Sequence, residues 1–268
     1  MRTRWLIVGA SVAAVFSLTS RAVADPVPVR HTEGLLRGFL ALNGLDGKRL
    51  ASGDLAQNTQ NDRVTNHLTF RFKDGSVHDE TAVFSQRGSF RLLSYHLVQK
   101  GPTFKDPVDV TVDAASGRVK VLYNSDGKPK EAAEQMDLPA DLANGLVLTL
   151  LKNVKPAAEP TVVSMLATTP KPMLVKLSIT SAGEEAFSSA GFQHKAIHYI
   201  AQVKIGGVTG VAAKVLGKVP PPINIWIAGG EAPGFVKMEG PLFYGGPIWR
   251  IEFATPAWPV TSSAAVRK

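Results

Sequence analysis

The chain has 268 residues, 44% hydrophobic and 19% charged, with a formal net charge of +8 and no cysteine. That much apolar material supports one large core or two small ones and excludes a disordered chain, while the lack of cysteine excludes disulfides and thiolate metal sites, so packing has to supply the stability. The lysines and arginines are spread along the sequence rather than blocked, so no stripe for nucleic acid is present.

Arg2 and Arg4 precede an apolar run from Trp5 to Leu18, and Ala22-Val23-Ala24 supplies a small-x-small cleavage pattern. Residues 1–24 therefore read as a Sec-type secretory signal cleaved near Ala24/Asp25. A retained membrane anchor is the weaker reading, because spanning a bilayer takes about 20 apolar residues and this run is shorter. Loss of Arg2, Arg4 and Arg21 with the signal lowers the formal charge from +8 to +5, and the expected mature protein is periplasmic or extracellular with no transmembrane span. Residues 25–259 read as a single β-rich domain with an internal seam near 153–160, and the small, polar tail 260–268 reads as disordered.

In chain order, Thr32-Glu33 followed by Leu35, Leu36, Phe39 and Leu42 has a capping residue and helical spacing, which predicts a short helix over His31–Leu42 stopped at Asn43-Gly44. Lys48–Gln57 is a strand candidate. From Arg63 to Val121, short β-rich runs are separated by Asp74-Gly75, Arg87-Gly88, Gly101-Pro102 and Ser116-Gly117, the pattern of an antiparallel meander. Two-residue loops at the first two of these turns would set Lys73 opposite Ser76 and Gln86 opposite Ser89. That register predicts a sheltered face of Leu68, Phe70, Phe72, Val77, Val83, Phe90, Leu92 and Val98 that also holds Asp79, Thr81, Ser94 and His96, with Asp79 opposite His96; a one-residue slip would swap the faces.

Asn124–Lys130 reads as a polar turn, and Ala140–Lys152 as an amphipathic helix on the concave face, with Gly145 in its middle marking a close approach. Thr161–Thr168, Met173–Thr180, Gln193–Ile205, Ile223–Ala228, Phe235–Glu239 and Ile248–Phe253 read as strands, with a loop at Ala182-Gly183-Glu184-Glu185 and a short apolar helix or turn over Gly210–Gly217. The expected fold class is mainly β (α+β): a curved antiparallel sheet or half-open β-barrel with one or two helices covering its concave face.

The chemistry-bearing residues are few. His194 and His198 have a spacing that suits a metal on a helix, but on a strand they stand about 13 Å apart, so no metal is expected. His96 and Asp79, with the Thr81 and Ser94 hydroxyls, have the form of a base and its orienting acid and are the catalytic candidates. No Gly-x-Ser-x-Gly elbow or phosphate-binding glycine loop completes them, and no cofactor is expected. A hydrogen-bonded pair within an otherwise apolar face is the competing reading. Phe70, Phe90, Leu92, His96, Leu146, Tyr244 and Trp249 are the ligand-binding candidates, since an apolar concavity with a few polar groups is what small-molecule sites look like.

The strings FKDGSVHDETAVFSQRGSFRLLSYHLVQKGP, LPADLANGLVLTLLKN and GGPIWRIEF, in this order behind a signal peptide, resemble a group of uncharacterised bacterial secreted proteins of unknown function. A curved sheet with helices in its concave side is also similar, in architecture alone, to the LolA-like half-barrel carriers of the periplasm. The leading expectation, drawn from the apolar inward face interrupted by a few polar groups, is a non-enzymatic envelope protein that binds a lipid-like or other apolar small molecule. A hydrolase built on His96 and Asp79, and an assembly module acting through its sheet edges, are the alternatives.

Overall fold

The computed structural model describes residues 25–125, 127–157, 159–189, 191–204 and 220–255, so the expectations for the signal segment, for 210–217 and for the tail lie outside the described residues. One antiparallel sheet of 14 strands accounts for most of them. The first half of the chain gives β1 (Leu36–Gly44), β2 (Arg49–Gln60), β3 (Arg63–Phe72), β4 (Val77–Ser85), β5 (Arg91–Lys100), β6 (Val108–Asp113), β7 (Arg118–Ser125) and β8 (Lys128–Gln135). After the short helix α1 (Val147–Asn153) come β9 (Thr161–Ala167), β10 (Met173–Ser189), β11 (Phe192–Lys204), β12 (Ile223–Ala228), β13 (Gly234–Gly240) and β14 (Trp249–Phe253). The spatial order runs from β8 down to β1, crosses to β14 and runs down to β9, so a single β1–β14 ladder joins two meanders. No ladder joins the outer strands β8 and β9 among the described residues.

The sheet is curved. Nine ladder steps separate β4 from β9, roughly 43 Å if the sheet were flat, yet two consecutive residues between β8 and α1 touch both. Asn144 accepts the Leu166 N–H of β9 at 2.8 Å and donates to the Leu166 carbonyl at 2.9 Å. Gly145 sits so close to β4 that a Cβ built on it would lie 2.6 Å from that of Ala82. Ala143 N–H to Ser164 O (2.9 Å) and Ser164 N–H to Asp141 O (3.3 Å) continue the same edge. Leu142, Leu146, Leu150 and Leu151 are buried in one cluster with Ala82, Tyr95, Val110 and Val121 of the first meander and Leu177, Ile179, Tyr199 and Ile225 of the second. Each such leucine contributes about 2 kcal/mol of apolar burial before entropy. A second cluster, centred on Leu40, Leu42, Phe70, Phe72, Phe104, Trp249 and Ile251, fills the region around the β1–β14 ladder.

The helix expected over Ala140–Lys152 forms only from Val147, because Gly145 adopts φ +70° and breaks the winding in front of it. Its end is held by the N-terminal segment: Asn153 accepts the Arg30 and His31 N–H groups at 2.8 and 2.7 Å, and Lys152 reaches the buried Glu33 carboxylate at 2.5 Å. The helix expected over His31–Leu42 is instead largely β1, a strand inside the sheet. Leu36, Leu40 and Leu42 point inward with period two, and ladders to β2 and β14 outweigh the helical spacing. Leu35 and Phe39, which the helix would have buried, are 86% and 65% exposed. The loop expected at Ala182–Glu185 is a bulged part of β10, and much of the polar turn expected at Asn124–Lys130 belongs to β7 and β8.

The meander register also differs. Phe72 N–H bonds the Ser76 carbonyl at 2.9 Å and Arg71 pairs Val77, so the first loop holds three residues, Lys73, Asp74 and Gly75, with Gly75 at φ +86°. The extra residue turns β4 over. His78, Glu80, Ala82 and Phe84 face inward, while Asp79, Thr81 and Val83 face out. Glu80 accepts the Tyr95 hydroxyl at 2.8 Å, and burial raises its carboxyl above the ordinary range against the pull of that hydrogen bond. His78 lies between the Phe70 and Phe104 rings; Gln99 donates to its Nδ1 at 3.0 Å, which leaves the proton on Nε2 without a protein partner. Burial lowers its pKa to about 4.

Two outcomes follow from this packing. Gly145→Ala should cost about 3 kcal/mol in urea unfolding, from a left-handed φ plus overpacking, whereas Gly47→Ala, also left-handed at φ +82° but facing open space, should cost about 1 kcal/mol; equal losses would refute the tight seat. His78 is neutral when folded and takes its proton near pH 6.5 when unfolded, so the unfolded chain binds the extra proton and stability falls as the pH drops from 6.5 to about 4, then levels. Between pH 7 and 4 the native protein should lose about 3 kcal/mol more than His78→Phe, and parallel unfolding curves would show that His78 is not the group responsible.

Candidate ligand-binding site

Strands that alternate up and down bring the β1–β2, β3–β4, β5–β6 and β13–β14 connections to one end of the sheet. There the structure holds a cavity of about 340 Å³. Its floor is Leu50, Phe72 and Trp249, and its rim is Lys48, Arg49, Lys73, Asp74 and Thr103.

The floor is made by a bulge and an aromatic ring of side chains. Asn43 pairs Arg49 while Leu42 pairs Ala51, so Leu50 is the unpaired residue, and its carbonyl accepts the Lys73 N–H at 3.1 Å, tying the bulge to the β3–β4 loop. Phe72, Phe104, Phe243 and Trp249 close on one another, with centroids 5.4 Å apart for Phe72–Phe104, Phe72–Trp249 and Phe104–Phe243 and 5.9 Å for Phe243–Trp249. Their tilted and edge-on arrangement favours a rigid surface.

The rim is charged but organised. Asp74 accepts the Thr103 hydroxyl at 2.7 Å and the Ser76 N–H at 2.9 Å, and these two bonds, Thr103's foremost, hold its carboxyl below the usual carboxylate range. Arg49 donates its Nε–H to Asn43 Oδ1 at 2.8 Å, and Asn43, itself buried, donates to Glu252 at 3.0 Å. The side chains of Lys48 and Lys73 have no carboxylate partner among the described residues. The chemistry available at this end is apolar contact below and cationic hydrogen-bond donation above.

The residues singled out from the sequence are dispersed. Phe90, Leu92 and Leu146 lie in the larger buried cluster, Phe70 and Trp249 in the smaller, and of the seven ligand-binding candidates only Trp249 lines the described cavity. Tyr244 is on an exposed loop. His96 and Asp79 both lie on the outer face but do not meet: His96 bonds Asp109 at 2.9 Å, whereas Asp79 bonds His67 at 3.1 Å and accepts the Thr69 hydroxyl at 3.1 Å. Opposite His96 stands Thr81 rather than Asp79, because the β4–β5 connection is longer than two residues, with Ser85 pairing Arg91, and the ladder shifts again between Val83 and Phe84. His194 and His198 both lie on β11; the His194 ring lies tilted against Phe187 with centroids 5.3 Å apart, and His198 bonds Glu185 at 2.9 Å. Among the described residues, no three His, Asp or Glu side chains gather as a metal site would need.

Sequence reasoning passed over Lys48, Arg49, Leu50, Lys73, Asp74 and Thr103. A signal for them was present: in a meander every second turn shares an end, and three of those turns carry Lys48-Arg49, Lys73-Asp74 and Thr103. No protein-family model matches the chain, and no curated protein does. Among solved structures it is similar to the crystal structure of a beta-barrel-like protein of domain of unknown function DUF1849 from Brucella abortus, at 10% sequence identity over 83% of this chain and 98% of that one, with a TM-score of 0.44.

Proposed function

We propose that this chain is a non-enzymatic binding protein of the cell envelope that holds an apolar or lipid-like molecule at one end of its curled sheet, against Leu50, Phe72 and Trp249. The observation that carries the reading is the cavity itself: about 340 Å³ over an aromatic floor, within the range of small-molecule sites. The concave side beneath α1 is a less favourable place, since Leu142, Leu146, Leu150 and Leu151 occupy it as packed core. A hydrolase is disfavoured by the separate partners of His96 and Asp79. An edge-driven assembly module is disfavoured by the edges: β9 already bonds Asn144, and β8 is exposed, charged and interrupted by Pro129. The signal-like pattern of the first 24 residues supports a location outside the cytoplasm in this reading.

Phenylnaphthylamine, a neutral apolar dye that brightens when shielded from water, tests the site on the purified chain. Saturable binding is expected, and Leu50→Ala, which removes about 1.4 kcal/mol of apolar contact, should weaken it about tenfold. No saturable binding, or full affinity in Leu50→Ala, would overturn the assignment.

A further inference from the structure

We infer that the molecule held at this end carries a phosphate-monoester head group, bound by Arg49, Lys48 and Lys73 at the rim while its apolar body lies on the floor. The inference rests on the binding role proposed above and names the class of ligand. Three cations face the cavity against one acid, Asp74, and that acid is already satisfied by Thr103 and Ser76. The rim therefore presents a formal surplus of two positive charges, which matches the near-double negative charge of a phosphate monoester at neutral pH. A carboxylate would neutralise half of it.

Arg49 is set for such a partner. Its Nε–H is spent on Asn43, which Glu252 holds in turn, so the side chain is fixed at its inner end, and its two terminal nitrogens, which donate to no group among the described residues, keep their donors for an oxyanion. Elsewhere on the same sheet, Arg71 meets Asp54 at 2.9 Å and Lys120 meets Glu131 at 3.0 Å across neighbouring strands. Lys48 and Lys73 stand on turns and form no ion pair among the described residues, the Asp46 carboxylate accepting the Lys48 backbone N–H at 3.1 Å rather than pairing its ammonium group. Asn43 is thus a positioning residue, buried and acting through Arg49.

Calorimetric titrations of the full chain with dodecyl phosphate, dodecanol and inorganic phosphate, all below micelle formation, decide the matter. Dodecyl phosphate should bind at least about tenfold more tightly than dodecanol, with the advantage shrinking as salt rises. The Lys48→Gln/Lys73→Gln double variant, changed only at exposed turns, should bind dodecyl phosphate no more tightly than dodecanol. Asn43→Ala should lose several-fold of the preference. Equal binding of dodecanol and dodecyl phosphate by the native chain would overturn the head-group assignment and leave the apolar site standing, whereas binding of neither would sink the apolar site first. Inorganic phosphate binding as tightly as dodecyl phosphate would show a free-phosphate site and overturn the amphiphile.

Discussion

A sheet of 14 antiparallel strands with two unjoined outer strands depends on what becomes of those edges. Here the side-chain amide of Asn144 does for β9 what another strand would: its oxygen takes the Leu166 N–H and its nitrogen serves the Leu166 carbonyl. Asp141 strengthens the joint from below, accepting the Ser164 hydroxyl at 2.8 Å, and Lys176 donates to that hydroxyl at 2.8 Å. With the edge satisfied and Gly145 pressed on Ala82, the segment before α1 pulls the two meanders round a shared core. The opposite edge needs no such partner. β8 is exposed and rich in lysine and glutamate, which discourages further strand pairing.

A single residue in one loop governs which chemistry lies inside. Had Asp74-Gly75 made a two-residue turn, Asp79 and Thr81 would face the core; with Lys73 included, His78 and Glu80 do instead. The interior then carries a neutral imidazole and a carboxyl whose affinity for its proton burial has raised, and the outer wall carries diagonal pairs: Arg71 with Asp54, His67 with Asp79, His96 with Asp109, Lys120 with Glu131. The second meander places a larger group outside. Trp226 faces outward, stacked on His198 at 4.3 Å with Lys237 over its ring at 3.9 Å, and its N–H is taken by Glu185 at 2.8 Å. An aromatic side chain can stand on an outer wall when its faces and its donor are all covered.

These placements mark where reading the sequence succeeds and where it stops. The turn glycines Gly75, Gly88, Gly101 and Gly117 all take positive φ and sit where the meander is expected to bend, because tight hairpin loops favour a left-handed residue that glycine adopts without strain. The close approach expected at Gly145 is present for a similar reason. Turn length was not legible, since Asp-Gly serves two-residue and three-residue hairpins alike, and one residue of error inverts the side chains of the strand that follows. β1 reads as a helix because Leu35, Leu36, Phe39 and Leu42 fit a 3.6 period; only the ladders to β2 and to β14, the latter remote in sequence, show that two of the four are left outside. β8 was hidden because KPKEAAEQ has the composition of a solvated turn, as an exposed edge strand should.

The candidate site follows from the same topology rather than from any motif. Up-and-down strands collect alternate turns at one end, so residues about 25 to 30 apart in a meander of roughly ten-residue strands become neighbours without a spacing rule that a motif search could use. Lys48 and Arg49 meet Lys73 and Asp74 for this reason, and Trp249 joins them because β14 begins beside the end of β1, with Gly44 paired to Trp249. The β1–β14 ladder, the one place where the two meanders touch edge to edge, is also where the aromatic floor forms: Phe72 comes from the first half, Phe243 and Trp249 from the second. A ligand resting there would press on both halves of the sheet at the one ladder they share among the described residues. A ligand of the kind proposed would therefore rest against Trp249, the residue of β14 that pairs with Gly44 at the joint between the two meanders.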